Sequence, residues 1–167
     1  LMRGILETLH DARHPVGIVT KSHLVTRDID LLADMAKDNL VHVFISVTTL
    51  DRSLARAMEP RAATPPRRLD AIRQLSAAGI PVGVMVAPVV PALTDHEMEN
   101  ILVAAQDAGA KRAGYLVLRL PFEIKELFRE WLLENCPDRA TRVLRQIHGI
   151  RGGRDNDPRF LTRMTGV

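Results

Sequence analysis

The sequence predicts an α/β fold in which parallel strands alternate with helices, and three observations carry that expectation. Short β-branched runs occur four times along the chain. Segments with apolar residues at helical spacing lie between these runs. The strand runs are apolar at successive positions, as strands buried on both faces of a parallel sheet must be.

Residues 1–9 place Met2, Ile5, Leu6 and Leu9 on one helical face, so the chain opens inside a helix that has no capping residue before it. That helix is expected to follow a strand absent from the sequence. Val16 to Lys21 reads as the first strand, and residues 27–38 as a helix carrying Ile29, Leu32 and Met35, with Asn39 suited to its stop. Val41 to Thr48 is the second strand. After a loop and a short helix, Pro65-Pro66 opens a helix with Leu69, Ile72 and Leu75 spaced for burial and Gly79 at its end. Pro81 to Pro88 is the third strand. Thr94 and Glu97 have the spacing of a capping box ahead of Met98, Ile101, Leu102 and Ala105, and Gly109 ends that helix. Tyr115 to Leu120 is expected as the fourth strand, and Pro121 turns the chain into a closing helical pair split by Pro137. Ile124, Leu127, Phe128, Trp131 and Leu132 line the first of these helices, and Ala140, Val143, Leu144 and Ile147 the second.

These elements give one domain over residues 1–150 and an irregular tail over 151–167, where Arg151-Gly152-Gly153-Arg154 and the polar stretch after it show no periodicity. Pattern alone leaves two architectures open, a doubly wound sheet and part of a barrel. Four parallel strands also leave a sheet edge that another segment or chain must cover.

Composition narrows the function classes. With 46% apolar and 26% charged residues the chain is globular rather than disordered or fibrous. No apolar run approaches the ~18 to 20 residues of a membrane span. The opening LMRGILETLHDARH lacks the features of a secretion signal, so the expected location is the cytoplasm. Cys136 is the single cysteine, which excludes an internal disulfide and a thiolate cluster. Arginine outnumbers lysine 19 to 4. GC-rich codon usage accounts for such a bias, and so does contact with phosphate, onto which a guanidinium forks. Residues 52–73 carry six arginines against two acids, and the tail from Arg151 carries four against two.

In parallel α/β folds ligands gather at the carboxyl ends of strands. Lys21, Ser46, Thr48 and Arg119 all lie at or near such ends. Lys21 there suits three roles: binding a carboxylate or phosphate, forming a Schiff base, or standing solvated in a loop. His23 and His42 lie near strand ends and His96 in the first turn of a helix, but no carboxylate partners them at metal-ligand spacing. They read as packed or solvated histidines. Gly152-Gly153, with no strand before it and no helix after it, is a weak phosphate signal.

Thr20-Lys21-Ser22, Phe44 to Asp51 (FISVTTLD), Met58-Glu59-Pro60-Arg61, and Gly83 to Pro88 (GVMVAP) followed by Leu93-Thr94-Asp95 together resemble the radical S-adenosylmethionine proteins of the spore photoproduct lyase-like, DNA repair photolyase group. The likeness runs from about His14 to Gly153. It implies the C-terminal portion, about four βα units, of a partial (βα)6 TIM-like barrel. It also implies S-adenosylmethionine as cofactor, cleaved reductively to a 5′-deoxyadenosyl radical at a [4Fe–4S] cluster, and an electron donor for that cluster. By position in the matching motifs, Lys21 is expected at the cofactor's methionine carboxylate, Ser46 at its polar ribose or methionine region, and the backbone of Val86 and Ala87 beside the adenine, with Thr48 a further cofactor-binding candidate. Arg119 is a candidate substrate contact, with nucleic acid the substrate that the resemblance suggests.

The chain departs from the group in lacking the cysteine loop, and Fe–S iron needs thiolates. The 167 residues are therefore expected to be inactive by themselves. Two other readings stay in view: a Schiff-base aldolase or lyase using Lys21, and a non-enzymatic nucleic-acid-binding module using the arginines of 52–73 and the tail.

Overall fold

A computed structural model of the protein describes residues 1–150; the expected irregular tail, with Arg151, Gly152, Gly153 and Arg154, lies outside the described residues. The described residues form seven α-helices and four strands. In chain order these are α1 (Met2–Asp11), β1 (Val16–Thr20), α2 (Ile29–Lys37), β2 (Val41–Ser46), α3 (Arg52–Met58), α4 (Pro65–Ala77), β3 (Val82–Val89), α5 (Met98–Asp107), β4 (Arg112–Val117), α6 (Ile124–Asn135) and α7 (Pro137–Ile150), with 3-10 turns at His23–Asp28 and Asp95–Glu97.

The strands make one sheet in the order β1-β2-β3-β4. Both β1 with β2 and β2 with β3 pair in parallel. A doubly wound sheet reverses its strand order at a switch point. This sheet runs in sequence order, as part of a TIM-like α/β fold does.

Register sorts the side chains by face. Ile18 pairs with Val43 and Thr20 with Ile45, while Val43 pairs with Val82 and Ile45 with Val84. On this face Val43, Ile45 and Val84 are buried together with Leu32 and Met35 of α2 and Ile72 and Leu75 of α4. Each such side chain contributes about 1.5–3 kcal/mol of burial free energy. The other face holds Gly17, Val19, His42, Phe44, Gly83 and Met85. A Cβ on Gly83 would sit 2.5 Å from the Phe44 ring, so the glycine makes room for that ring.

Two expectations about the strands need correction. They are not buried on both faces, since Val19 is 62% and Tyr115 64% exposed. The exposure follows the face rather than the sheet edge: on the central strand β2 the same face carries an exposed His42 and a half-buried Phe44, while Val41, Val43 and Ile45 on the other face are buried. β4 also starts three residues earlier than expected and ends at Val117 rather than Leu120. The backbone hydrogen bond from Lys111 N to Val82 O at 3.1 Å sets its entry into the sheet, and an edge strand tolerates the charged Arg112.

Helix ends behave as the composition predicts. Asn39 (φ 58°), Gly79 (φ 74°) and Gly109 (φ 105°) occupy the left-handed region after α2, α4 and α5. The capping box is overturned. Thr94 Oγ1 instead accepts the Val90 N–H at 2.9 Å, and Glu97 turns to the loop after β2, accepting the Thr49 hydroxyl and the Leu50 N–H.

The described residues fall into two compact units, one of residues 1–87 with 97–116 and the other of 88–96 with the chain from Val117. In the second unit α6 and α7 pack through Leu132, Ala140, Val143 and Ile147, all buried. Phe128 and Trp131 stack at 5.8 Å on α6. Among the described residues no helix is long and apolar enough to cross a membrane.

Candidate functional site

The carboxyl ends of β1 and β2 bring three charged side chains together. Lys21 follows Thr20, the partner of Ile45, and so flanks Ser46. Its ammonium donates to Glu59 Oε1. The other oxygen, Oε2, accepts Arg68 Nη2 at 2.5 Å. Each Arg68 nitrogen has a partner: besides Nη2, Nε donates to Ala63 O at 2.7 Å and Nη1 to Ser46 O at 3.0 Å. Thr48 Oγ1 lies 3.1 Å from both Glu59 Oε1 and Ala87 O, and its single proton serves one of them at a time.

Burial grades this network from the inside outward. The Arg68 side chain is 2% exposed, that of Glu59 11% and that of Lys21 36%. Burial by itself would raise the Glu59 pKa, but the hydrogen bonds from Lys21 and Arg68 outweigh it and hold the carboxyl below its ordinary value. With Glu59 ionised, two cations share one anion and the cluster carries a net +1.

Local sequence explains each position. Asp51 caps α3, its Oδ1 accepting Ser53 N at 2.7 Å and Leu54 N at 3.1 Å. α3 then ends at Met58, which leaves Glu59 in the turn before α4. Pro65 at the first helical position starts α4 and sets Arg68 one turn in, facing the strand ends.

Among the expected cofactor residues, Lys21 and Thr48 meet on the same Glu59 oxygen and Ser46 joins through its carbonyl. Thr48 reaches the Ala87 carbonyl directly. Ser46 is 4% and Val86 2% exposed. Arg119 is exposed, lies two residues beyond β4 and belongs to the second unit.

Sequence reasoning missed two roles. Glu59 stood inside the Met58-Glu59-Pro60-Arg61 string with no function given, and Arg68 was one arginine among six. A carboxylate in an arginine-rich stretch was the available signal. His23 also gains a partner that spacing could not show: its Nε2 lies 3.1 Å from Asp70 Oδ2, which accepts Gln74 Nε2 at 2.7 Å. The His23 and Gln74 hydrogen bonds lower the Asp70 pKa.

Residues able to hold iron are a different matter. No group of three or more His, Cys, Asp or Glu among the described residues is placed to bind a metal ion. Cys136 is the sole cysteine, and burial raises its pKa, which disfavours the thiolate that a cluster requires. The donor set of this chain does not fit an iron–sulfur cluster.

Comparison with known proteins places these features in a class. The chain belongs to the radical SAM superfamily, whose pattern it matches over residues 2–105. It is 35% identical over 144 residues to uncharacterized proteins of Mycobacterium tuberculosis and Mycobacterium bovis, covering 85% of this chain and 42% of each of theirs. An uncharacterized protein of Acidianus two-tailed virus is 42% identical over 89 residues, 53% of this chain and 29% of its own. One from Methanocaldococcus jannaschii is 33% identical over 97 residues, 58% of this chain and 36% of its own. The chain thus spans less than half the length of these relatives.

Proposed function

We propose that these residues are the cofactor-holding part of a radical S-adenosylmethionine enzyme, in which Lys21 binds the methionine carboxylate of S-adenosylmethionine. One observation carries the reading: a cluster with one excess positive charge stands at the carboxyl ends of β1 and β2, and Lys21 is its most exposed member. A carboxylate arriving there makes the cluster neutral. Ser46 and Thr48 lie next to it for the polar part of the cofactor, with the backbone of Val86 and Ala87 beside them for the adenine. When bound, the cofactor supplies reductive cleavage to a 5′-deoxyadenosyl radical. The complete enzyme takes its cluster thiolates from sequence other than these 167 residues and its electron from a separate donor.

A photoproduct lyase-like action on nucleic acid is the finer part of the proposal. Arg52, Arg56, Arg61 and Arg67 make no ion pair among the described residues. Two of them, Arg52 and Arg56, line a groove of about 700 Å³ whose other walls are Glu59, Ser53, Thr64 and a series of alanines and prolines. Unpaired guanidinium groups around a groove suit phosphate. Arg119 is a further proposed substrate contact. The aldolase reading needs a desolvated neutral amine. The partial exposure of Lys21 and its pairing with a carboxylate support the ion-binding role instead.

The test is cofactor affinity in the complete enzyme. Lys21→Met and Ser46→Ala are expected to weaken S-adenosylmethionine binding, Lys21→Met the more; unchanged affinity in both would remove the assignment. Nucleic-acid binding should fall steeply as salt rises, and binding insensitive to salt would remove the nucleic-acid part.

A further inference from the structure

We infer that Glu59 is a positioning residue that holds Lys21 ready for a ligand carboxylate, and that Arg68 holds Glu59 in turn. This rests on the reading that Lys21 binds the cofactor's carboxylate. A lysine has a long flexible stem, and fixing it costs rotamer entropy at the moment of binding unless something has already fixed it. Here Glu59 Oε1 takes one ammonium proton and leaves the other two for a ligand.

Glu59 itself has little freedom. Oε2 is tied to a guanidinium whose remaining bonds run to two backbone carbonyls, Ala63 O and Ser46 O. The sequence of restraint therefore runs from backbone to Arg68, to Glu59, to Lys21. It ends at the one member of the three with substantial exposure.

Charge completes the argument. Without the Glu59 anion, Lys21 and Arg68 are like charges in a half-buried setting, and repulsion drives the mobile one, Lys21, outward. Glutamine fits the volume of Glu59, but it carries no charge and replaces one of the two accepting oxygens with an NH2 donor that faces Lys21 or Arg68.

The experiment compares two nucleoside probes on the complete enzyme by calorimetry. S-adenosylhomocysteine carries the amino acid carboxylate; 5′-methylthioadenosine has the same nucleoside and thioether without it. Lys21→Met and Glu59→Gln are each expected to lose about tenfold affinity for S-adenosylhomocysteine, the size of one charge-assisted hydrogen bond. Affinity for 5′-methylthioadenosine should stay unchanged in both. If Lys21→Met loses affinity and Glu59→Gln does not, Glu59 positions nothing, while the Lys21 assignment stands. Equal losses for both probes in Glu59→Gln would mean a general structural role and also overturn the inference. If Lys21→Met binds both probes normally, the Lys21 assignment fails and the inference with it.

Discussion

Arg3 and Arg68 each gather carboxylates, yet their surroundings are opposite. The Arg3 side chain is 46% exposed and pairs with Glu7, Asp28 and Asp30, three anions to one cation. That of Arg68 is 2% exposed and shares a single carboxylate with Lys21. Water screens Arg3, Glu7 and Asp30, so their pairing contributes little, and only Asp28, 5% exposed, is a buried partner. In the second, Arg68 and Glu59 are largely removed from water, where an unpaired charge is costly, and only Lys21 keeps substantial exposure. Such an arrangement, at the ligand end of the sheet and with a positive surplus, is what the proposed carboxylate-binding role requires.

The largest expected effect comes from breaking the buried cluster. Arg68→Leu leaves Glu59 with Lys21 and the Thr48 hydroxyl as partners and deprives the carbonyls of Ala63 and Ser46 of a donor, and should cost about 3 kcal/mol, read from urea unfolding. A loss near zero would erase the contrast between the two arginines.

Acid gives a smaller effect with a defined sign. The folded pKa of Glu59 lies below its ordinary 4.5, so its pairing stabilises the fold above that value. That contribution is lost as pH falls from about 4.5 through the lower folded value. The acid limb of the stability curve should therefore flatten in Glu59→Gln. An unchanged acid limb would mean that Glu59 is not held by its two cations.

Arg3→Ala should give the smallest change. Asp30, held by the Arg3 hydrogen bond at a pKa of about 2, then returns toward its ordinary value. Any shift in the urea midpoint should shrink in about 1 M salt, where the screening length is ~3 Å. A shift that persists in salt would show the exposed cluster behaving like the buried one.

Much of the fold was legible because period and punctuation are local properties. The parallel strand–helix alternation, the helical pair around Pro137 and the stops at Asn39, Gly79 and Gly109 all follow from residues within a few positions. β4 was misplaced because an edge strand needs no apolar outer face, so its boundary is set by pairing with β3 rather than by its own pattern. The capping box failed for a related reason: Glu97 accepts from the Thr49 hydroxyl and the Leu50 N–H, 48 and 47 residues away in the chain. Of the candidate site, Lys21, Ser46 and Thr48 were visible from their places at strand ends. Glu59 and Arg68 were not, since an acid in a turn and an arginine on a helix look solvated until the fold joins residues 21, 59 and 68.

The most direct test is a crystal structure of the complete enzyme with S-adenosylhomocysteine bound. The account predicts the ligand carboxylate on Lys21 Nζ, with Glu59 still bridging Lys21 and Arg68. A carboxylate bound elsewhere, with Lys21 occupied by Glu59 alone, would contradict it.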